Sequence, residues 1–336
     1  MSKTILIPGG AGYIGSHTSY LMHKAGYKII IIDKFVHNQT FNQPWATLIK
    51  ADFADEQVLH KVFSENKIDA VMHFVAFIEI GESVKRPKDF YENNVVKSLK
   101  LLDLMLQHDV RKIVFSSSCA VYGNPINIPM DENHPFAPMN PYGKNKLSVE
   151  FALQDYAQSY GLQYISLRYF NAAGSLPEQS LGEQHNPETH IIPLMLRAIK
   201  NGTEFKIFGD DYNTPDRTCV RDYIHVLDIA QAHVLALQYL QETGKSNFFN
   251  LGSEKGYSVR EMVQAAQDVC KLKMNFKVFD RRPGDVDTLI ADSTKIKNVL
   301  GWKPKYSDLN RILQSAWEWE SCSQFIEKQK EETISS

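Results

Sequence analysis

The sequence predicts an α/β fold, a doubly wound parallel sheet carrying a smaller α/β lobe. Three observations predict it. Short β-branched apolar runs alternate with segments of helical spacing through the first half of the chain. Glycines interrupt the chain between the first apolar run and the first helical stripe. Past residue 175 the rhythm breaks into polar, turn-rich sequence. Strand–helix alternation of this kind places helices on both faces of a parallel sheet.

Taken in order, "TILI" (4–7), "YKIIIID" (27–33), "DAVMHF" (69–74), "RKIVFSS" (111–117) and "QYISLRY" (163–169) read as buried strands. Ile14, Thr18, Leu21, Met22 and Ala25 form one helical stripe, and Val95, Leu99, Leu102 and Leu106 another. Residues 176–189 are polar and turn-rich, an excursion away from the sheet, and a helix follows over 190–201. The stretch 225–241 is strongly helical, and 247–253 reads as a late strand. Ser258 and Glu261 make a capping box that opens a helix over 259–270.

Composition excludes several function classes. At 336 residues the chain can bury a sizeable core, and 43% hydrophobic with 23% charged residues is ordinary for a globular protein. Lys plus Arg number 37 against 39 acids, so no global field recruits nucleic acid or an anionic membrane, and an anionic ligand needs a local site. No apolar stretch approaches the ~20 residues that span a bilayer. The N-terminal stretch lacks the succession of a secretion signal. Cys119, Cys219, Cys270 and Cys322 have no metal or redox spacing and read as reduced thiols. A cytoplasmic chain without a metal is expected.

Three motifs carry chemistry. Gly9-x-x-Gly12-x-x-Gly15 sits between strand and helix, where backbone N–H groups and the helix dipole meet a pyrophosphate. The second strand ends in Asp33, placed to bind ribose hydroxyls, which completes a Rossmann arrangement and favours NAD over NADP. Tyr142-x-x-x-Lys146 puts a phenol and a cation on one helical face. Bringing a phenol from ~10 to near 7 takes about 4 kcal/mol, roughly what a cation ~4 Å away supplies at an effective dielectric of ~20. "FSSSCAVYG" (115–123) ends a strand in Ser116, Ser117 and Ser118, where parallel sheets hold ligands. Singly, each has a plainer reading as a turn, a surface pair or a serine-rich strand end. Together they fit a nicotinamide enzyme.

The sequence also resembles the extended short-chain dehydrogenase/reductases, most closely their NAD-dependent sugar-nucleotide 4-epimerases. The matching pieces are "GGAGYIGSH", "HF" (73–74), "GESV" (81–84), "NNV" (93–95), "FSSS", "VYG", "PYGKNK", "RYFNAAG" (168–174), "VRDYIHVLD" (220–228), "FNLGS" (249–253) and "RRPGD" (281–285). They run in the family's order through most of the chain. The resemblance implies an NAD-binding domain over 1–174, with late sheet elements from 218–252, and a UDP-sugar lobe from 175–217 and 253–330. It implies Tyr142 as catalytic base, Lys146 as its activator and ribose ligand, and Ser118 as partner of the sugar hydroxyl. Gly9, Gly12, Tyr13, Ile14 and Gly15 would meet the NAD pyrophosphate, Asp33 the adenosine ribose, and Asp52 and Phe53 the adenine. Asn38, Phe74, Asn93 and Phe170 would complete the cofactor site. Asn171, Ile191, Phe208 and Leu289 would line the substrate, Arg221 and Arg282 would clamp the UDP phosphates, and Asp285 would hold the uridine ribose. His73, Asp222 and His225 are left as structural residues.

The implied reaction is 4-epimerisation of UDP-hexoses, UDP-glucose and UDP-galactose, in a homodimer: hydride leaves carbon 4, the 4-keto sugar turns over, and hydride returns on its other face. Other UDP-sugars (N-acetylhexosamines, uronic acids, pentoses) remain open as substrates. A dehydratase would need an acid pair directly after the strand-end hydroxyl, where Cys119 and Ala120 stand, and neither can protonate a leaving group. A non-catalytic NAD-binding protein would not need Ser118, Tyr142 and Lys146 together. Two departures from the family pattern stand out: Pro8 where a hydroxyl residue is usual, and Ile78 where a lysine is common.

Overall fold

The structure, a computed structural model, describes residues 2–36, 41–282 and 284–322. Its strands are β1 (Thr4–Pro8), β2 (Lys28–Asp33), β3 (Ala46–Lys50), β4 (Ile68–His73), β5 (Lys112–Ser118), β6 (Gln163–Tyr169), β7 (Asn171–Ala173), β8 (Glu204–Phe208), β9 (Val220–His225), β10 (Asn247–Leu251), β11 (Gly256–Ser258), β12 (Asn275–Phe279) and β13 (Thr288–Leu289). The helices are α1 (Tyr13–Lys24), α2 (Glu56–Glu65), α3 (Ile80–Lys85), α4 (Pro87–Tyr91), α5 (Lys97–Gln107), α6 (Pro141–Tyr160), α7 (Ile191–Asn201), α8 (Val226–Thr243), α9 (Val259–Cys270), α10 (Thr294–Leu300) and α11 (Leu309–Ser321).

Seven parallel strands form the main sheet in the order β10-β6-β5-β4-β1-β2-β3. Its inner strands read as continuous apolar runs because both faces are covered. Ile5, Ile7, Ile29 and Ile31 point into one core with Met22 of α1 and Ile229 and Leu237 of α8. Leu6, Ile30 and Ile32 point the other way, onto Leu59 of α2, Leu101 of α5 and Leu153 of α6. Strand order reverses between β1 and β4, and such switch points open a crevice at the strands' carboxyl ends.

The smaller lobe has its own core, built from α7, α9 and α11 with Phe205, Ile207 and Tyr223. Here β9 is the hub of a four-stranded sheet, pairing with β7, β11 and β13. Of the late stretch 218–252, Asn247–Leu251 enters the main sheet, whereas Val220–His225 belongs to the small one. β7, inside 1–174, also pairs with β9, so the change of sheet occurs directly after β6. The capping box forms at the start of α9, with Ser258 and Glu261 bonding each other's backbone N–H.

Candidate active site

The glycine turn joins β1 to α1 at the switch point. A Cβ on Gly15 would run into the Gly9 carbonyl oxygen, so only glycine lets the helix start this close to the strand. α1 opens at Gly12 with no side-chain cap and no acid in its first turn. Its partial positive charge and first donors are thus presented to an anionic ligand, and this cradle fits a pyrophosphate. Asp33 braces it, accepting from Ala11 N at 3.1 Å and Phe35 N at 2.8 Å. Tyr13 ties the turn to the end of β7, its hydroxyl donating to the Gly174 carbonyl at 2.6 Å.

Pro8 lies inside the ladder between β2 and β4. Its carbonyl accepts from Phe74 N at 3.0 Å, while the next residue's N–H, on Gly9, bonds Ile32 O at 2.9 Å. Only the missing Pro8 N–H is lost, at the strand's last position. Pro8→Thr is therefore expected to leave NAD binding nearly unchanged, and Gly15→Ala to abolish it. The cofactor content of the two purified variants measures both; a Gly15→Ala chain loaded like the parent would contradict the cradle.

Further along the crevice, Asp52 is held by Lys34 at 2.7 Å and Lys97 at 2.5 Å. Burial acts to raise its pKa, but these two amines win and hold the carboxyl at about 2. The Phe53 ring lies in the core, 5.1 Å from the His73 ring. Phe74 packs on His233 at 4.7 Å, and Asn93 is buried in a one-turn π-helical segment, donating to Asn94 at 3.1 Å. Asn38 lies outside the described residues. His73 meets Ser98 at 2.8 Å, and burial lowers its pKa to about 3, which suits a neutral structural side chain.

α6 delivers the tyrosine and lysine. Asn140 caps it, accepting from Gly143 N at 2.9 Å, with Pro141 at the first helical position. A Cβ on Gly143 would strike the Ala120 carbonyl, so glycine lets the helix start press against the residues following β5. This sets the Tyr142 hydroxyl near enough to Ser118 for the serine to favour its ionised form. Lys146, one turn on, is buried and donates from Nζ to the Ser116 carbonyl at 2.7 Å. Ser117 turns away and donates to Glu150 at 2.5 Å.

The sequence expectation is that a cation near the phenol, with a bound nicotinamide ring adding to it, brings Tyr142 near neutrality; the chain's own groups pull the other way. Burial pushes Tyr142 up to about 12 against the help of Ser118. It also pushes Lys146 down to about 7, with Glu150 pulling the other way. Lys146 Nζ stands 5.9 Å from the Tyr142 ring centroid and is already bonded to backbone. The Cys119 thiol is pushed up to about 12 by burial and is no acid for dehydration.

In the smaller lobe, β9 places Arg221 beside Leu289 of β13. Asn171 of β7 donates to the Asp222 carbonyl at 2.8 Å. Leu289 and Cys119, the residue after β5, both pack against the cluster that holds Phe170. Asp285 gathers both arginines, at 3.7 Å from Arg221 and 2.9 Å from Arg282. Arg282 lies over the Phe208 ring at 5.4 Å. Ile191 begins α7. Asp222 accepts from Ser253, Glu254 and Ala291 N–H groups, and His225 caps α8 through Leu227 N; both are structural.

Sequence reasoning missed Tyr212, whose hydroxyl reaches Asp285 at 3.3 Å and whose ring lies under Arg281 at 3.9 Å. It also missed the buried pair Arg168–Glu150 beneath Lys146. An arginine inside an apolar strand run was the available signal.

Comparison with known proteins gives the chain's family. The family model described as "NAD dependent epimerase/dehydratase family" matches residues 5–252. The UDP-glucose 4-epimerase of Rhizobium meliloti is 48% identical over 95% of this chain and 98% of that protein. The Brucella ovis UDP-glucose 4-epimerase, solved in complex with NAD, superposes with a TM-score of 0.91 at 41% identity, covering 94% of this chain and 98% of that one. The Bifidobacterium longum enzyme, solved with NAD+ and UDP, gives 0.88 at 35% identity, covering 96% and 99%. With a full-length match at this identity, the chain belongs to the NAD dependent epimerase/dehydratase family, in its UDP-glucose 4-epimerase branch.

Proposed function

We infer that the chain interconverts UDP-glucose and UDP-galactose by NAD-dependent epimerisation at carbon 4. The observation that carries the reading is the meeting of Ser118, Tyr142 and Lys146 at the carboxyl end of β5, across the crevice from an uncapped glycine turn. Bound NAD supplies the hydride acceptor for carbon 4 and a positively charged ring. Tyr142 Oη takes the proton of the 4-hydroxyl and later returns it, while Ser118 Oγ holds that hydroxyl in line. Lys146, fixed through Nζ to the Ser116 carbonyl, stands on the phenol's side of the crevice.

Turning the ketone over demands a firm hold on the diphosphate and a loose one on the hexose. Arg221 and Arg282 suit the first requirement, since a guanidinium grips phosphate oxygens in pairs. An apolar Leu289 suits the second. Incubating the purified protein separately with UDP-galactose, UDP-N-acetylgalactosamine and UDP-xylose, then resolving products, tests the reading. UDP-galactose is expected to turn over fastest and the N-acetyl sugar weakly, because leucine is intermediate in bulk. Inertness toward UDP-galactose would overturn the assignment, and complete inertness toward the N-acetyl sugar at high enzyme would remove the role given to Leu289.

We also propose a cytoplasmic homodimer. Val84, Tyr91, Val96 and Phe151 are exposed on α3, α4, the π-helical turn and α6, a set of apolar side chains suited to a partner copy. The four cysteines are free thiols, as in a reducing compartment. Sedimentation at twice the 38.3 kDa chain mass is the expected result, and a monomer at micromolar concentration would refute it.

A further inference from the structure

The polar excursion before α7 ends in "GEQHNPETH" (182–190), which neither the cofactor nor the sugar site uses. It folds four metal-capable side chains toward one point, with the ligand atoms of Glu183, His185, Glu188 and His190 all within 4.8 Å of one another. From this juxtaposition of two imidazoles and two carboxylates, we propose that the chain binds one divalent transition-metal ion of the zinc class, as a structural staple of the smaller lobe.

Geometry supports it first. Ligands at ~2.0–2.2 Å around a tetrahedral ion stand roughly 3.5 Å apart, so the cluster needs to close by little more than an ångström. The donor set points to the metal class, because mixed imidazole and carboxylate ligands suit zinc, whereas calcium and magnesium take oxygen. Burial supplies the third argument. The Glu183 and Glu188 side chains are only 7% and 3% exposed, and carboxylates so enclosed require neutralisation. Arg197 reaches Glu188 Oε2 only at 3.6 Å and is also bound by Glu320 at 3.0 Å. Glu188 Oε2 accepts no hydrogen bond among the described residues, while Oε1 is fixed by Thr189 N and His190 N at 2.8 and 3.0 Å. Both His185 and His190 direct Nδ1 onto the same oxygen, Glu183 Oε1.

The surroundings hold the ligands as an outer shell does. The Glu183 carbonyl accepts from Trp319 Nε1 of α11 at 3.0 Å. His190 is the N-cap residue of α7, and Ile191, proposed above to line the substrate, follows it. An ion here would tie the excursion to α7 and α11, on elements other than the β5 and α6 that carry Ser118, Tyr142 and Lys146, so its loss should lower Tm more than kcat. The rival arrangement places protons on the two imidazoles and needs no metal.

The test starts with the protein purified without chelator, where elemental analysis is expected to give about one zinc per chain. After dialysis against EDTA, titration with Co2+ alone should show one equivalent bound, the visible absorption of tetrahedral cobalt, and a raised Tm. His190→Ala, at the exposed rim, is expected to weaken Co2+ binding by at least ~100-fold. Cys322→Ser, an exposed thiol outside the cluster, should leave it unchanged. A parent chain that takes no cobalt at micromolar concentration, or binding that survives His190→Ala, overturns the proposal in favour of the protonated cluster. UDP-galactose turnover by the parent is measured separately, and its failure would bear on the enzymatic reading alone.

Discussion

Tyr142→Phe is expected to lower kcat by roughly 10³-fold or more while the purified variant keeps its NAD. The phenyl ring preserves the shape of the first turn of α6, and the cofactor's cradle is built elsewhere, from the β1–α1 turn and Asp33. What disappears is the single oxygen that faces Ser118. The chain's own groups leave that oxygen with a pKa of about 12, five units above neutrality. Burial favours the neutral phenol, and Lys146, itself pushed down to about 7 by burial, offsets little of that. The proposed role as base therefore draws on the positive charge that bound NAD would add beside the hydroxyl. Turnover measured with UDP-galactose, beside the cofactor content of the same preparation, checks the expectation. A fully active variant would remove Tyr142 from the role of base, and a variant without NAD would make it a cofactor ligand first.

The sheet was legible where burial is two-sided. β1, β2, β4, β5 and β6 are runs of branched apolar residues because helices cover both faces, and their bounds were readable to within a residue or two. β3 was not, since "ATLIK" is a half-exposed edge strand and its apolar residues make no run. β8 and β12 form an isolated two-stranded ribbon whose residues are partly exposed, which weakens the same signal. The candidate site residues were legible as motifs, but their energetics were not. Sequence puts Lys146 one turn from Tyr142; it does not show that Lys146 is itself buried and bonded to the Ser116 carbonyl, so its charge is weakened by the same desolvation that raises the phenol. The pairing of Arg168 with Glu150 was hidden for a related reason. The two lie on different elements, β6 and α6, and only the fold brings them face to face.

That pair underlies the largest stability effect expected outside the chemistry. Glu150→Ala should destabilise the chain by about 3–5 kcal/mol, because it strands a guanidinium that has no access to water. Arg168 is 0% exposed and Glu150 1%. Arg168 Nε bonds Glu150 at 2.9 and 3.2 Å, and Nη2 bonds it as well. Nη1 reaches the Tyr122 hydroxyl at 2.8 Å, and that hydroxyl donates to Asn250 Oδ1 at 2.6 Å. Phe248 and Phe136 sandwich the guanidinium at 4.4 and 4.8 Å. The network thus joins α6, β5 through Ser117, β6 and β10 directly beneath the Lys146 amine. A thermal melt should register a fall in Tm on the order of 10 °C. Glu150→Leu combined with Arg168→Met removes both charges and keeps the volume, so the double variant should melt above Glu150→Ala. Glu150→Leu alone keeps the volume but strands the charge, so the double variant should melt above it as well; a double variant no more stable than Glu150→Leu would point to lost packing instead. If Glu150→Ala melts within a degree of the parent, water must reach Arg168, and the burial on which the whole network depends would be wrong.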